Sequence, residues 1–174
     1  MKQNKIYLLF TNTGTLFTRT IRLYTKADYN HASIALDPNF NETYSFGRKK
    51  PRNPFHGGFV KEKINENLFR TADCIIYSYT ITKQQERRIK QALANFDRNK
   101  ETYHYNLIGL FGVMLNKPIQ RKNAYFCSQF VAYILKESGI ITFDKPLELV
   151  TPYDLQQIPK LEFVYEGKLH QAVS

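Results

Sequence analysis

Tyr125-Phe126-Cys127-Ser128-Gln129-Phe130-Val131-Ala132-Tyr133-Ile134-Leu135 reads as the opening of a helix running from about Phe126 to Glu137. Gly139, a usual residue just past a helix C-terminus, stops it. Cys127 falls in the first turn, on one face with Val131 and Ile134, so it points toward the core side. Free N–H groups and the helix dipole at that end favour a thiolate. The same N–H groups can steady an oxyanion forming on an attacked carbonyl. A small buried hydrophobe is the competing reading of such a cysteine, and position by itself does not separate the two.

A base for that thiol has to come from elsewhere in the chain. His31 opens the predicted strand His31–Leu36, and a base held on a rigid strand can face a helix N-terminus across a cleft. The turn Asp37-Pro38-Asn39-Phe40-Asn41 closes this strand, and Glu42–Phe46 returns as its hairpin partner, ending at Gly47. The other histidines are weaker candidates. His56 lies in a Pro/Gly loop, His104 between tyrosines and His170 near the C-terminus. Cys74 sits within the predicted strand Cys74–Ile81 and reads as structural.

Further outward, residues 5–10 form a short apolar run that suits a buried strand, and Thr15–Tyr24 suits a helix with Phe17, Ile21 and Tyr24 on one face. Residues 48–58 are basic and rich in Pro and Gly, hence a loop. Thr82 with Gln85 three residues on is a capping-box pattern, and the helix it starts runs to about Phe96 with Ile89, Leu93 and Phe96 inward. A helix from about Asn106 to Leu115 reads as buried, and Leu161–Tyr165 as a last strand. No repeat, low-complexity tract or linker interrupts the 174 residues, a length that fits one compact domain spanning 1–174. Strands and helices are partly segregated, which predicts an α+β domain with an antiparallel sheet packed against helices.

Asn30-His31-Ala32-Ser33-Ile34-Ala35-Leu36, followed much later by Phe126-Cys127-Ser128-Gln129-Phe130-Val131, resembles the circularly permuted papain-like cysteine amidases. These include NlpC-type cell-wall peptidases and their lecithin retinol acyltransferase-like relatives. The histidine strand precedes the cysteine helix here, as in the permuted branch, and the resemblance spans roughly residues 6–137. It implies a papain-like core, a Cys-His pair of Cys127 and His31, and a third polar residue on the strand after the histidine that orients the imidazole. Members cleave amide bonds or transfer acyl groups through a thioester on the cysteine. Permuted relatives often carry an acid in the second strand, whereas this chain has Thr43-Tyr44-Ser45-Phe46 at the nearest position. Ser45 is the favoured third residue, with Glu42 and Glu62 as alternatives. Cell-wall peptide, lipid ester and protein isopeptide all suit the same pair as substrates.

Charge and composition bound the other classes. Lys and Arg total 25 against 15 Asp and Glu, a net +10, which favours anionic partners. The one dense run is Arg48-Lys49-Lys50-Pro51-Arg52, and a non-catalytic module holding an anionic ligand at Arg48, Lys49, Lys50 and Arg52 is the rival function. Nucleic acid is not expected as a partner: Tyr103, Tyr105, Phe111 and Phe126 could stack on bases, but such aromatics are more often plain core. Gly57-Gly58 and Gly109-x-x-Gly112 make no phosphate loop, and the histidines and cysteines lack close metal-ligand spacing, so neither a cofactor nor a metal is expected. The five apolar residues Ile6–Phe10 are too few for a signal peptide, and no stretch approaches the length of a membrane span. Those features, with only two cysteines, lead to the expectation of a cytoplasmic protein without a disulfide framework.

Overall fold

The computed structural model describes residues 4–12, 28–48, 57–64 and 71–172. The helix expected at Thr15–Tyr24, His56 and the basic residues Lys49, Lys50 and Arg52 lie outside the described residues. Arg48 is described in its backbone, as the last residue of a strand.

An antiparallel six-stranded sheet is built from β1 (Asn4–Asn12), β2 (His31–Ala35), β3 (Thr43–Arg48), β4 (Gly57–Lys61), β5 (Asp73–Ile81) and β8 (Glu162–Lys168). Its order is β4-β3-β2-β1-β5-β8. Consecutive strands β1 to β4 lie side by side, as short connections favour. The hairpin β2–β3 closes where predicted. Asp37 Oδ1 accepts from the backbone N–H of Asn39 and Oδ2 from that of Glu42, while Phe40 takes a left-handed backbone with φ 57°. The pairing Ile34 with Tyr44 then fixes the register of β3.

One expectation fails here. Residues 57 and 58, read as part of a loop, open strand β4, whose Gly57 and Gly58 pair with Arg48 and Gly47. The reason is steric: a Cβ on Gly57 would stand 2.8 Å from the Gly47 carbonyl and 2.9 Å from Tyr105 Cβ, so only glycine admits this close approach.

Period-two alternation sorts the strands onto two faces. Ile6, Leu8 and Phe10 of β1, with Ala32 and Ile34 of β2, face the larger core, which also holds buried residues of two helices. The first helix, α1 (Lys83–Arg98), starts at the predicted capping box and buries Ile89, Leu93 and Phe96. Four elements further on, after β6 (His104–Tyr105), α2 (Leu107–Met114) and β7 (Ala124–Tyr125), comes α3 (Cys127–Glu137). Phe130 of α3 meets Phe46, Phe96 and Phe59 with ring centroids 5.1, 5.2 and 5.7 Å apart. Burial of each such ring contributes roughly 2–3 kcal/mol, and Phe130 lies one turn from Cys127, so this cluster sets where the start of α3 sits. The opposite face of the sheet carries a smaller cluster of Leu9, Ala35, Phe40, Ile64, Cys74, Ile76 and Leu169. The short helices α4 (Pro152–Gln156) and α5 (Leu169–Ala172) complete the chain.

The helix at 107–114 also departs from expectation. Ile108, Phe111 and Leu115 are 51%, 54% and 68% exposed, so α2 is a half-open surface helix and Phe111 is not core. No helix among the described residues is long and apolar enough to cross a membrane.

Candidate active site

Cys127 is the first residue of α3 and is buried. Phe126 occupies the N-cap position and offers no side-chain acceptor, so the first N–H groups of the helix have no side-chain cap. Gln129 instead accepts from the Phe126 N–H with its side-chain oxygen, at 3.4 Å. Ser128 donates to the Val150 carbonyl at 2.7 Å and ties the helix start to the segment leading into α4. The start of α3 is thus held by the packing of Phe130 and by the Ser128 bond.

His31 opens β2, in register with Thr11 of β1. Its Nε2 is hydrogen-bonded to Glu62 Oε1 at 2.7 Å, and the Cys127 side chain lies close enough to its ring to act on its pKa. A carboxylate only accepts, so Nε2 carries the proton of that bond and Nδ1 is the nitrogen left to face sulfur. Glu62 follows β4 directly and its side chain is 3% exposed. Ser45 of β3 donates to Glu62 Oε1 at 2.5 Å, and Ser33 of β2 donates to Oε2 at 2.7 Å. Three donors therefore converge on one buried carboxylate. Burial opposes its charge, but the positive field of His31 and the hydrogen bonds from His31, Ser45 and Ser33 outweigh burial and hold its pKa below the usual carboxylate range. Burial likewise opposes a charge on His31. The Glu62 charge and the bonds to Cys127 and Glu62 prevail, and the imidazole pKa rises to about 10.

The preference for Ser45 as orienting residue is corrected by this geometry. The carboxylate of Glu62, one of the two alternatives, meets the imidazole, and Ser45 supports it by donating to the same oxygen. Glu42 sits at the exposed hairpin turn, its backbone bonded to Asp37. Position on the strand after His31 favours Ser45, whereas the acid comes one strand later, just past the end of a strand that opens with two glycines. The role of Ser33 was missed, although its spacing of two from His31 on a strand places both on one side.

Beside Cys127 opens a cleft of about 450 Å³, counting space continuous with solvent. Leu110, Val113 and Met114 of α2 form one wall, and Val150 and Pro152 another. Asn30, buried and adjacent to His31, also lines it, and its Oδ1 has no hydrogen-bond partner among the described residues. A buried acceptor left unmatched costs on the order of 1–3 kcal/mol. No protein-family model matches this chain, and no curated protein matches it.

Proposed function

We propose that the chain is a cysteine hydrolase or acyltransferase that forms a thioester acyl-enzyme on Cys127, built as a single domain on a circularly permuted papain-like core. The observation that carries this reading is His31 hydrogen-bonded to the buried Glu62, with the Cys127 side chain near enough to the imidazole to act on its pKa. Such a triad, nucleophile to base to orienting acid, is the arrangement that activates a thiol. The order of the elements supports the permuted core: a His strand inside an antiparallel sheet comes first, and a helix carrying the Cys at its N-terminus comes late and packs on that sheet.

In this mechanism, an imidazolium held by Glu62 stands against the sulfur and stabilises a Cys127 thiolate. The thiolate attacks the carbonyl carbon of an amide or ester, and the resulting oxyanion is met by N–H groups at the start of α3. Collapse of the tetrahedral intermediate breaks the bond to the leaving group, which takes a proton from His31. A water or another acceptor then loses its proton to His31 as it attacks the thioester, and release of the acid or acyl product regenerates the Cys127 thiolate. Glu62 keeps its negative charge throughout and fixes which imidazole nitrogen works.

The test uses a p-nitrophenyl ester as acyl donor. Mass spectrometry should find the acyl group on the peptide containing Cys127, removable by hydroxylamine, and none in Cys127→Ala. An unmodified Cys127 under these conditions, with the ester likewise left uncleaved, contradicts the reading.

A further inference from the structure

α2 is the segment whose surroundings the proposed chemistry leaves unexplained. Its sequence, Leu107-Ile108-Gly109-Leu110-Phe111-Gly112-Val113-Met114, has no polar side chain. A helix apolar on every side is ordinarily buried or bounded by lipid. Here the glycines are the buried positions: a Cβ on Gly112 would lie 2.5 Å from the Lys117 carbonyl, so that side packs tightly on the segment that follows. Leu110, Val113 and Met114 line the cleft. The third side, Ile108, Phe111 and Leu115, faces solvent, spaced three and four residues apart along one stripe. A contiguous stripe of this kind marks an interaction surface rather than the scattered apolar exposure of any protein.

The charge around the stripe selects its partner. Between Glu101 and Glu137 the chain contains no acidic residue, while Lys117, Arg121 and Lys122 follow α2 and are exposed. None of these three is ion-paired among the described residues. The neighbouring turn that packs on α2 contributes one acid, Glu148, and Asp154 beyond it is tied to Lys145 at 2.7 Å. We infer that the outer face of α2, with Lys117, Arg121 and Lys122, docks on an anionic lipid surface, inserting Ile108, Phe111 and Leu115 among the headgroups. A helix of eight residues cannot span a bilayer but can lie in its interface. A second copy of the chain is the poorer occupant, because a two-fold contact through this face would bring the same basic residues of both copies together.

The chain has no Trp, so Phe111→Trp supplies a reporter without background. Its emission should shift to shorter wavelength with vesicles of mixed phosphatidylcholine and phosphatidylglycerol, and stay unshifted with phosphatidylcholine alone. In co-sedimentation with the mixed vesicles, the double variant Phe111→Ser/Leu115→Ser should bind at least about tenfold more weakly than the unaltered protein, as should Arg121→Glu/Lys122→Glu. Phe163→Ser, an equally exposed apolar residue on β8, should bind as before. Circular dichroism establishes that each variant is folded. Three results would overturn the inference: no binding to the mixed vesicles, binding that Phe111→Ser/Leu115→Ser leaves unchanged, or a dimer in light scattering that the same double variant dissociates. None of these readouts uses activity, so they stand or fall apart from the role of Cys127.

Discussion

Cys74 and Cys127 are both free thiols and both buried, yet they belong to different sides of the sheet and keep different company. Cys74 lies in β5, between β1 and β8, among Leu9, Ile76 and Leu169 of the smaller cluster. Burial pushes its pKa up first, the charges of Asp73 and Glu166 add to this, and a backbone hydrogen bond from Gly167 offsets only part, leaving the thiol at about 12. Cys127 begins a helix, lines a cleft and lies beside an imidazole whose pKa a buried carboxylate raises to about 10. Burial alone would silence either thiol. What differs is whether a positive partner is built against the sulfur, and that partner depends on a carboxylate two strands away from His31.

The largest effect expected from this contrast is on turnover. Cys127→Ala should lower cleavage of a p-nitrophenyl ester by at least about 1,000-fold, and Cys74→Ala should leave the rate within about twofold. Comparable losses from both substitutions would erase the distinction. Next in size is the carboxylate. Glu62→Ala strands His31, Ser33 and Ser45 together, and denaturant titration should show a loss of about 3–5 kcal/mol. Ser45→Ala removes one of three donors and should cost only about 1 kcal/mol. If Ser45→Ala proves the costlier change, Glu62 is not the hub of the network.

A smaller effect is expected in the pH dependence of stability. His31 is raised from an ordinary 6.5 to about 10 in the folded chain, so its contribution is complete below about 6.5 and fades as the pH climbs toward 10. Glu62 is lowered, so its contribution is present above its ordinary 4.5 and is lost as the pH falls through the folded value. Cys74 is raised from 9.0 to about 12, which adds a loss only above pH 9. Thermal denaturation should therefore show a plateau between about 4.5 and 6.5, then a decline whose part below pH 9 disappears in His31→Gln and whose part above it shrinks in Cys74→Ala. A melting temperature that holds steady from pH 6.5 to 9 would remove the coupling between His31 and Glu62.

Much of this layout was legible in the chain because it rests on local signals. The Thr82-x-x-Gln85 cap, the Asp37 turn and the glycine after α3 each act over a few residues, and the helices and hairpin they bound appear in place. The same holds for His31 at a strand start and Cys127 in a first helical turn. Glu62 was harder to rank because its value is non-local. The strand before it opens with two glycines, a composition that reads as loop, and glycine is required there by the close passage of β3 and Tyr105. The exposure of α2 was equally hidden, since a run of apolar residues signals burial whether water or an interface bounds one side. Ile89, Leu93 and Phe96, by contrast, reach the larger core where helical spacing places them.

The most direct test of the central claim is the rate of alkylation of each cysteine by iodoacetamide, followed by peptide mapping from pH 5 to about 9. At neutral pH a thiol held near 12 is ionised to only about one part in 10⁵, so Cys74 should remain unmodified while Cys127 reacts with the folded protein. In His31→Ala the reaction at Cys127 should slow by at least about tenfold, with Cys74 unchanged. Equal rates at the two cysteines, or a Cys127 rate indifferent to the loss of His31, would contradict an activated Cys127–His31–Glu62 site.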